Sequence, residues 1–191
     1  MVKSIGLNKI DTAVFISGNG SNLKNLIEFS FSKKSPISVD FVVSDNSKAK
    51  GLNFSKKFKI KRKIYSFKIK NPDKEILKNL KKNKIKLICL AGFMKILSKN
   101  FIRNFKGKIL NVHPSLLPKY KGLNTHLKAI ENKEKFSGCT IHYVNEKLDS
   151  GKIIIQKKVK ILKIDTPKTL AKKILKQEHI LYRKALIKIF S

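Results

Sequence analysis

Short apolar runs alternate with segments of helical periodicity along most of this chain, and this alternation limits the possible folds more than any other feature. Residues 12–17, 37–44 and 85–92 are apolar and rich in β-branched side chains. Such runs are typical of strands buried on both faces of a parallel sheet. The pattern therefore predicts an α/β fold with a doubly wound, mostly parallel (Rossmann-like) sheet. We expect residues 1–191 to form a single domain, with residues 1–10 as a loosely ordered extension.

The C-terminal part of the chain departs from this alternation. Residues 139–144 and 153–159 have the composition of strands and are separated by a short connection. A connection of this length permits an antiparallel pair, whereas a parallel crossover needs a dozen residues or more. The other predicted elements are helices over 47–58, from Pro72, over 125–132 and from residue 166, and a strand over 63–67.

A glycine-rich turn follows the first predicted strand, with the sequence Gly18-Asn19-Gly20-Ser21-Asn22 ahead of a helix. Free backbone N–H groups and the positive end of the helix dipole make such a turn an anion site. The turn lacks the third glycine of a dinucleotide fingerprint and the Gly-Lys-Ser/Thr of a P-loop. These absences favour a monophosphate ligand, although an ordinary tight turn between strand and helix remains an alternative.

A second polar cluster follows the apolar run that ends at residue 110. Asn111 and His113 stand in a proline-braced stretch, Asn-Val-His-Pro-Ser-Leu-Leu-Pro, and Asp149 lies downstream in Leu-Asp-Ser-Gly. A buried Asn-His pair that only supports a loop is the simpler interpretation. However, the Gly20 turn, the turn after residue 92 and the turn after Asn111 all follow predicted parallel strands. Ligands bind beyond the carboxyl ends of such strands, so the convergence favours a reactive site.

The composition is strongly basic, with a formal net charge of +32. A nucleic-acid-binding surface would explain this charge. Only Arg62, Arg103 and Arg183 are arginine among the 44 basic residues, however, and the lysines are spread from end to end. Nucleic-acid surfaces favour arginine with interleaved aromatic residues. A compositional bias of the coding sequence is therefore favoured over a specific nucleic-acid partner.

Other classes of protein are disfavoured by what the sequence lacks. Two cysteines, Cys89 and Cys139, are too few for a disulfide framework and have no metal-site spacing. No apolar stretch reaches the length of a membrane span, and the first eleven residues carry no signal-peptide core. We expect a cytoplasmic protein with no membrane partner and no metal. The sequence leaves its state as monomer or homodimer open.

Four stretches together resemble the phosphoribosylglycinamide formyltransferases, the folate-dependent enzymes of purine biosynthesis. They are Gly-Asn-Gly-Ser-Asn-Leu from residue 18, Leu-Ala-Gly-Phe-Met-Lys-Ile-Leu from residue 90, Asn-Val-His-Pro-Ser-Leu-Leu-Pro from residue 111, and Leu-Asp-Ser-Gly from residue 148. The similarity extends from about residue 11 to residue 182. Several formyltransferases share the third and fourth stretches, whereas the glycine turn and the closing Gln-Glu-His at 177–179 are more specific to this family.

The resemblance implies an activity and a set of site residues. The enzyme would transfer the formyl group of 10-formyltetrahydrofolate to the amine of N1-(5-phosphoribosyl)glycinamide in IMP biosynthesis. The implied catalytic residues are Asn111, His113 and Asp149. Residues implied to bind the phosphorylated ribonucleotide are Gly20, Ser21, Asn22, Pro114 and Glu178. Those implied to contact the folate are Met94, Lys95, Ile96, Leu97 and Asn111, with the loop 145–149 closing over it.

The residues also indicate how formyl transfer would proceed. The acceptor amine attacks the formyl carbon, and Asn111 can donate an N–H to the resulting oxyanion. Moving a proton from the amine to the departing folate nitrogen is a task that histidine suits, and His113 is the histidine of this stretch. Asp149 would pair with His113 and orient it. Neither a metal nor a covalent nucleophile is needed, and Ser115 has no nucleophile-elbow context.

The chain departs at several positions from the pattern of the formyltransferases that it resembles. Many relatives carry arginine where Lys95 stands and histidine where Asn124 stands. Lys68 or Lys70 is a candidate for binding the folate tail. Among the other histidines, His126 is interpreted as a cap or packing residue, His142 as a surface residue of a strand and His179 as structural.

Three alternative functions remain open at this stage. A methionyl-tRNA formyltransferase would suit the positive charge, but that family usually has a further C-terminal domain. A formyltetrahydrofolate deformylase usually carries an N-terminal regulatory domain. A nucleic-acid-binding module with the same fold is disfavoured by the intact set Asn111, His113 and Asp149.

Overall fold

A computed structural model of the chain describes residues 9–67 and 72–190, which form seven strands and six helices in one α/β unit. All seven strands belong to a single sheet with the order β3-β2-β1-β4-β5-β6-β7. The strands are β1 Ile10–Ile16, β2 Ile37–Ser44, β3 Lys61–Ile64, β4 Leu87–Leu90, β5 Lys108–His113, β6 Phe136–Tyr143 and β7 Ile153–Lys160. The helices are α1 Ser21–Ser30, α2 Leu52–Lys57, α3 Asp73–Lys82, α4 Lys99–Asn104, α5 Thr125–Glu131 and α6 Pro167–Phe190.

The predicted fold class is confirmed. Strands β1 to β5 pair in parallel, while β6 is antiparallel to both β5 and β7. Residues Ala13 to Ile16 of β1 are fully buried, as expected for a central strand covered on both faces. The sequence did not reveal that β6 also pairs antiparallel with β5. Because β6 lies between β5 and β7, it is an interior strand of the sheet.

Helices cover both faces of the sheet and create two cores. On one face, Leu23, Leu26 and Ile27 of α1 pack with residues of α6 such as Leu170 and Ile174. On the other face, Ile76 and Leu80 of α3 pack with Phe101 of α4 and with Phe15 of β1. Since α1 and α6 share one face, the start of α1 and the middle of α6 are brought to the same end of the sheet.

Two predicted elements have different bounds in the structure. The helix predicted over 47–58 is shorter, because Asn46 starts a turn in which its side chain accepts a hydrogen bond from the Lys48 N–H. Such asparagine-based turns compete with helix formation. The strand predicted over 63–67 lies two residues earlier, at Lys61–Ile64, where it pairs with β2.

The position of the turns after β1 and β4 determines where a ligand can bind. The strand order reverses between β1 and β4, and their connections leave toward opposite faces. A crevice forms at such a switch point, beyond the carboxyl ends of the strands. Two hydrogen bonds hold the turns together: the Ser17 N–H donates to the Gly92 carbonyl at 3.2 Å, and the Met94 N–H donates to Ser17 Oγ at 2.8 Å.

Within the described residues, no helix combines the length and apolar character that a bilayer crossing requires.

Candidate active site

A cavity of about 620 Å³ opens at this end of the sheet. Its walls come from the turn after β4, the end of β5, the loop before α5, the β6–β7 loop and α6. Sequence positions up to 156 residues apart therefore share one site. The predicted site residues that line it are Asn22, Met94, Lys95, Ile96, Leu97, Asn111, His113, Pro114, Asp149 and Glu178.

His113 ends β5 and has a protein oxygen close to each of its ring nitrogens. Nε2 lies 2.8 Å from the Tyr120 carbonyl oxygen, and Nδ1 lies 3.3 Å from Oδ2 of Asp149. The side chains of His113 and Asp149 are only 5% and 8% exposed. A neutral imidazole can donate through one nitrogen only, whereas an imidazolium donates through both. The predicted pairing of His113 with Asp149 is thus present, and a carbonyl fixes the opposite side of the ring.

Asp149 is held in place by the backbone around it. Its own φ is 45°, an uncommon value for a non-glycine residue that aspartate tolerates better than most. Its Oδ2 also accepts a hydrogen bond from the Gly122 N–H at 2.9 Å. The β6–β7 loop thereby meets the loop before α5, and the carboxylate is fixed against His113.

The proline-braced stretch after β5 is held by buried hydrogen bonds to β6 and β7. Thr140 Oγ1 donates to the Ser115 carbonyl at 2.6 Å and accepts from the Leu117 N–H at 3.1 Å. Gln156 Nε2 donates to the Leu117 carbonyl at 2.9 Å. Ser115 is buried and its hydroxyl donates to the Lys119 carbonyl, which ties the two ends of this stretch together.

Asn111 lies opposite His142 in the antiparallel pair of β5 and β6. Its Nδ2 is 3.2 Å from His142 Nε2 and 3.5 Å from Oδ1 of Asp149. The side-chain amide therefore lies beside the His113–Asp149 pair.

The interpretation of His142 as a surface residue is wrong. His142 is 2% exposed and lines the cavity, because β6 is an interior strand and the loops of the site cover this face. Burial lowers the pKa of His142, and the nearby His113 acts in the same direction; the Tyr143 carbonyl and Asp149 act in the opposite one. The sequence pattern of β6 does not reveal the burial of His142, because a prediction from alternating polar and apolar residues assumes that one face of the strand is solvated.

The glycine turn adopts the geometry expected of an anion site. Gly20 has φ 73°, and α1 begins directly after it without a side-chain cap, so the first backbone N–H groups of α1 have no helical acceptor. A Cβ built on Gly20 would stand 2.5 Å from the Cα of Gly51. The close approach to Gly51 has no sequence signal, because it depends on how the segment after β2 packs. Gly20 and Ser21 lie outside the cavity lining, next to Asn22 within it.

Asn22 connects the glycine turn to α6. Its Nδ2 donates to Oε2 of Glu178 at 2.7 Å, and its Oδ1 is buried without a partner among the described residues. Burial raises the pKa of the Glu178 carboxyl, and the hydrogen bond from Asn22 opposes that shift. A buried carboxylate and an unsatisfied amide oxygen are both acceptors, so this end of the cavity suits a ligand that donates O–H or N–H groups.

Large apolar side chains form the rim on the other side of the cavity. Met94 and Ile96 are 61% and 74% exposed, and Leu123 and Leu148 face them from the loops before α5 and after β6. Leu97 is buried beneath them. An exposed apolar patch at the mouth of a polar cavity is typical of a site for a flat, partly apolar ligand.

The loop between β6 and β7 is also tied to α4. Arg103 donates through Nε and Nη2 to the two carboxylate oxygens of Glu146, at 2.6 Å and 3.0 Å. The hydrogen bonds and charge of Glu146 raise the pKa of Arg103, and those of Arg103 lower the pKa of Glu146. Bidentate pairs fix orientation well, so this contact helps to define the loop that carries Asp149.

The remaining predicted positions have simple outcomes. Lys68 and Lys70, the candidates for the folate tail, lie outside the described residues, as do residues 1–8. His126 lines the cavity and is partly buried. It is not the cap residue of α5, because that position is occupied by Asn124, whose side chain makes no cap hydrogen bond. His179 lies on α6 and is half-buried, and its backbone carbonyl accepts a hydrogen bond from Asn25 of α1. The described residues contain no group of three or more His, Cys, Asp and Glu side chains arranged to hold a metal ion.

Comparison with known proteins connects this geometry with one family. A family profile described as "Formyl transferase" matches residues 10–186. The phosphoribosylglycinamide formyltransferase of Haemophilus influenzae is 41% identical over 175 residues, which cover 89% of this chain and 82% of that protein. A solved structure of the Brucella melitensis phosphoribosylglycinamide formyltransferase superposes with a TM-score of 0.90 at 40% identity, covering 96% of each chain.

Some relatives are much longer proteins. The trifunctional purine biosynthetic protein adenosine-3 of Drosophila melanogaster is 40% identical over 190 residues, which cover 96% of this chain but only 14% of that protein. The corresponding protein of Homo sapiens is covered to 18%. This chain thus matches one part of such proteins.

Proposed function

Because the chain belongs to the formyl transferase family, we propose that it transfers the formyl group of 10-formyltetrahydrofolate to the amine of N1-(5-phosphoribosyl)glycinamide. The products are the N-formyl ribonucleotide and tetrahydrofolate, in de novo purine biosynthesis. The observation that carries the proposal is the meeting of Asn111, His113 and Asp149 in one cavity with Asn22 and Glu178. An amide donor and an imidazole–carboxylate pair beside a ribonucleotide site fit acyl transfer to an amine.

In the first step the lone pair of the acceptor amine attacks the formyl carbon. The carbonyl π electrons move to the oxygen, and a tetrahedral intermediate forms. Asn111 donates an N–H to this oxyanion from within β5, an interior strand of the sheet. Removing one donor of this kind in a related reaction costs about 3 kcal/mol in transition-state stabilisation.

The intermediate then loses a proton from its ammonium nitrogen, and the folate nitrogen gains one as its bond to carbon breaks. His113 is the group placed to move this proton. Nε2 of His113 lies 2.8 Å from the Tyr120 carbonyl oxygen and Nδ1 lies 3.3 Å from Oδ2 of Asp149, so the imidazolium donates through both nitrogens and its contact to Asp149 is the longer one. Asp149 keeps the ring oriented and balances the imidazolium charge while it exists.

The acceptor would bind between α1 and α6. The free N–H groups at Ser21 and Asn22 suit its phosphate, with Gly20 allowing the close approach of the backbone. The acceptors on Glu178 and Asn22 suit ribose hydroxyl groups, and Pro114 lines the same wall.

The folate would bind against the apolar rim. Met94, Ile96 and Leu97 are placed to contact a pterin, and exposed Lys95 adds positive charge beside it. The loop 145–149 would cover this ring, held by the ion pair of Arg103 with Glu146. No step of the reaction requires a metal ion.

We also propose that the chain acts as one formyltransferase domain in the cytoplasm, on small-molecule substrates. The two cores share one sheet, which supports folding as a unit. Any further activity of the trifunctional relatives lies outside this proposal.

An acceptor screen tests the function. Purified protein is incubated with 10-formyltetrahydrofolate and with either the glycinamide ribonucleotide or methionyl-tRNA, and tetrahydrofolate release is measured. We expect product only with the ribonucleotide, and no more than background from His113→Ala, while His179→Ala stays active because His179 does not line the cavity. Formylation of methionyl-tRNA, or no transfer by the wild type, would refute the proposal.

A further inference from the structure

The side chain of His142 makes two contacts that together determine its protonation pattern. Its Nδ1 lies 2.8 Å from the Tyr143 carbonyl oxygen, and its Nε2 lies 3.2 Å from Asn111 Nδ2. A carbonyl oxygen can only accept, so Nδ1 must carry the hydrogen. The Nε2 of a neutral ring then presents a lone pair to its neighbour.

The surroundings of the ring favour its neutral form. His142 is 2% exposed, and its charged form would lie near His113, which carries a positive charge during the reaction. Burial and His113 both lower the pKa of His142. Asp149 favours the charged form, but its Oδ1 is 3.7 Å away and its Oδ2 is occupied by Gly122.

A lone pair on Nε2 decides which way the Asn111 amide points. The amide oxygen is itself an acceptor and would be repelled by Nε2, so the amide must turn its nitrogen toward His142. One of the two amide hydrogens is then taken up by Nε2. The other points to Asp149 Oδ1 at 3.5 Å, the outer limit of a hydrogen bond, and is therefore weakly held and available.

We propose that His142 is a positioning residue for formyl transfer: its Nδ1–H tautomer, set by the Tyr143 carbonyl, orients the Asn111 amide so that an N–H faces the developing oxyanion. Without this lone pair the amide could flip and present its oxygen to the oxyanion, which is repulsive. The proposal rests on the formyl transfer proposed above, since it concerns the geometry of its oxyanion donor. His142 acts through Asn111 and need not contact the substrate.

Two substitutions separate this role from simple packing. In His142→Asn the shorter amide can still donate to the Tyr143 carbonyl, but it cannot bring an acceptor to Asn111. In His142→Gln the side-chain oxygen reaches the position of Nε2 and can accept. We expect kcat to fall about 10–100-fold in His142→Asn, and by less than about fivefold in His142→Gln, with the KM of both substrates changed less than about threefold.

A double-mutant cycle tests the route through Asn111. Asn111→Ala should lower kcat about 10²–10³-fold, and adding His142→Asn to it should change kcat by less than about twofold. Multiplicative effects in the double variant would overturn the proposal, because His142 would then act independently of Asn111. An unchanged kcat in His142→Asn would overturn it as well.

Nitrogen-15 NMR of wild-type protein labelled at histidine tests the same inference without any variant. We expect His142 to be neutral at neutral pH, with the hydrogen on Nδ1 and none on Nε2; a hydrogen on Nε2 would overturn the proposal. This reading is independent of activity. If the wild type fails to transfer formyl groups, the proposed function fails, while the NMR spectrum still decides the tautomer.

Discussion

Substitution of Gly20 by alanine tests the anion site from the backbone upward. Two separate penalties apply at this position. The φ of 73° is left-handed, and an alanine there costs about 1–2 kcal/mol relative to glycine. The new Cβ would also stand 2.5 Å from the Cα of Gly51, and separating two backbone segments of a packed structure costs about 1–3 kcal/mol more. We therefore expect Gly20→Ala to lower the free energy of unfolding by about 2–5 kcal/mol.

The chain offers two matched controls. Gly92 has the same φ of 73° with nothing within 4 Å of its added Cβ, so Gly92→Ala carries the dihedral penalty alone, about 1–2 kcal/mol. Gly18 has neither a left-handed φ nor a close neighbour, and Gly18→Ala should be neutral or stabilising by about 0.5 kcal/mol. Urea denaturation of the three variants gives the order Gly18, Gly92, Gly20 from least to most destabilised.

The kinetics of the same variants identify the ligand. Moving Gly20 away from Gly51 shifts the first N–H groups of α1, and errors of about 1 Å in such contacts reduce rates up to about 100-fold. We expect Gly20→Ala to raise the KM of the ribonucleotide at least about tenfold while the folate KM changes less than about threefold. Equal stability of the Gly20 and Gly92 variants, or a selective rise in the folate KM of Gly20→Ala, would refute the reasoning.

Three further predictions follow from the site and its charges. Asp149→Asn should lower kcat at least about tenfold with little change in either KM, because the amide keeps the Gly122 contact but not the charge beside His113; a wild-type kcat would remove the carboxylate from the mechanism. Glu178→Gln should raise the ribonucleotide KM. The free energy of unfolding at about pH 8 should not fall in this variant, because the substitution removes a buried charge. A loss of stability would contradict the raised pKa of the Glu178 carboxyl. The free energy of unfolding should fall from about pH 7 to about pH 5, because burial lowers the pKa of three histidines below 6.5 in the folded protein. In this pH range the unfolded chain therefore binds more protons than the folded one. Urea denaturation of wild type and His142→Gln at several pH values should show that the free energy of unfolding depends less steeply on pH in the variant. The three histidines are His126, His142 and His179.

Local patterns were sufficient for most of the secondary structure. Strands β1, β2 and β7 and helices α1, α5 and α6 lie close to their predicted positions, because apolar periodicity and glycine or proline punctuation act over a few residues. The prediction for α2 was wrong in length for the same kind of reason. Asn46 makes a side-chain turn that periodicity does not register.

The residue types of the site were also predictable. The amide, imidazole and carboxylate of Asn111, His113 and Asp149 were expected, and the glycine turn predicted an anion site before α1. What the sequence could not indicate was the environment of each group. His142 was misjudged because its burial depends on the loops of the site that cover this face of β6, and these loops meet there only in the folded protein.

The sequence by itself determined the alternation of strands and helices, the glycine turn before α1 and the types of the candidate reacting groups, since each depends on a residue and its near neighbours. The tertiary structure alone decided that Asp149 lies 3.3 Å from His113, that Gly51 packs against Gly20, and that carbonyls fix both histidine rings. The physical reason is that hydrogen bonds and close packing act over a few ångströms. Only the folded sheet brings residues that are far apart in sequence within that range.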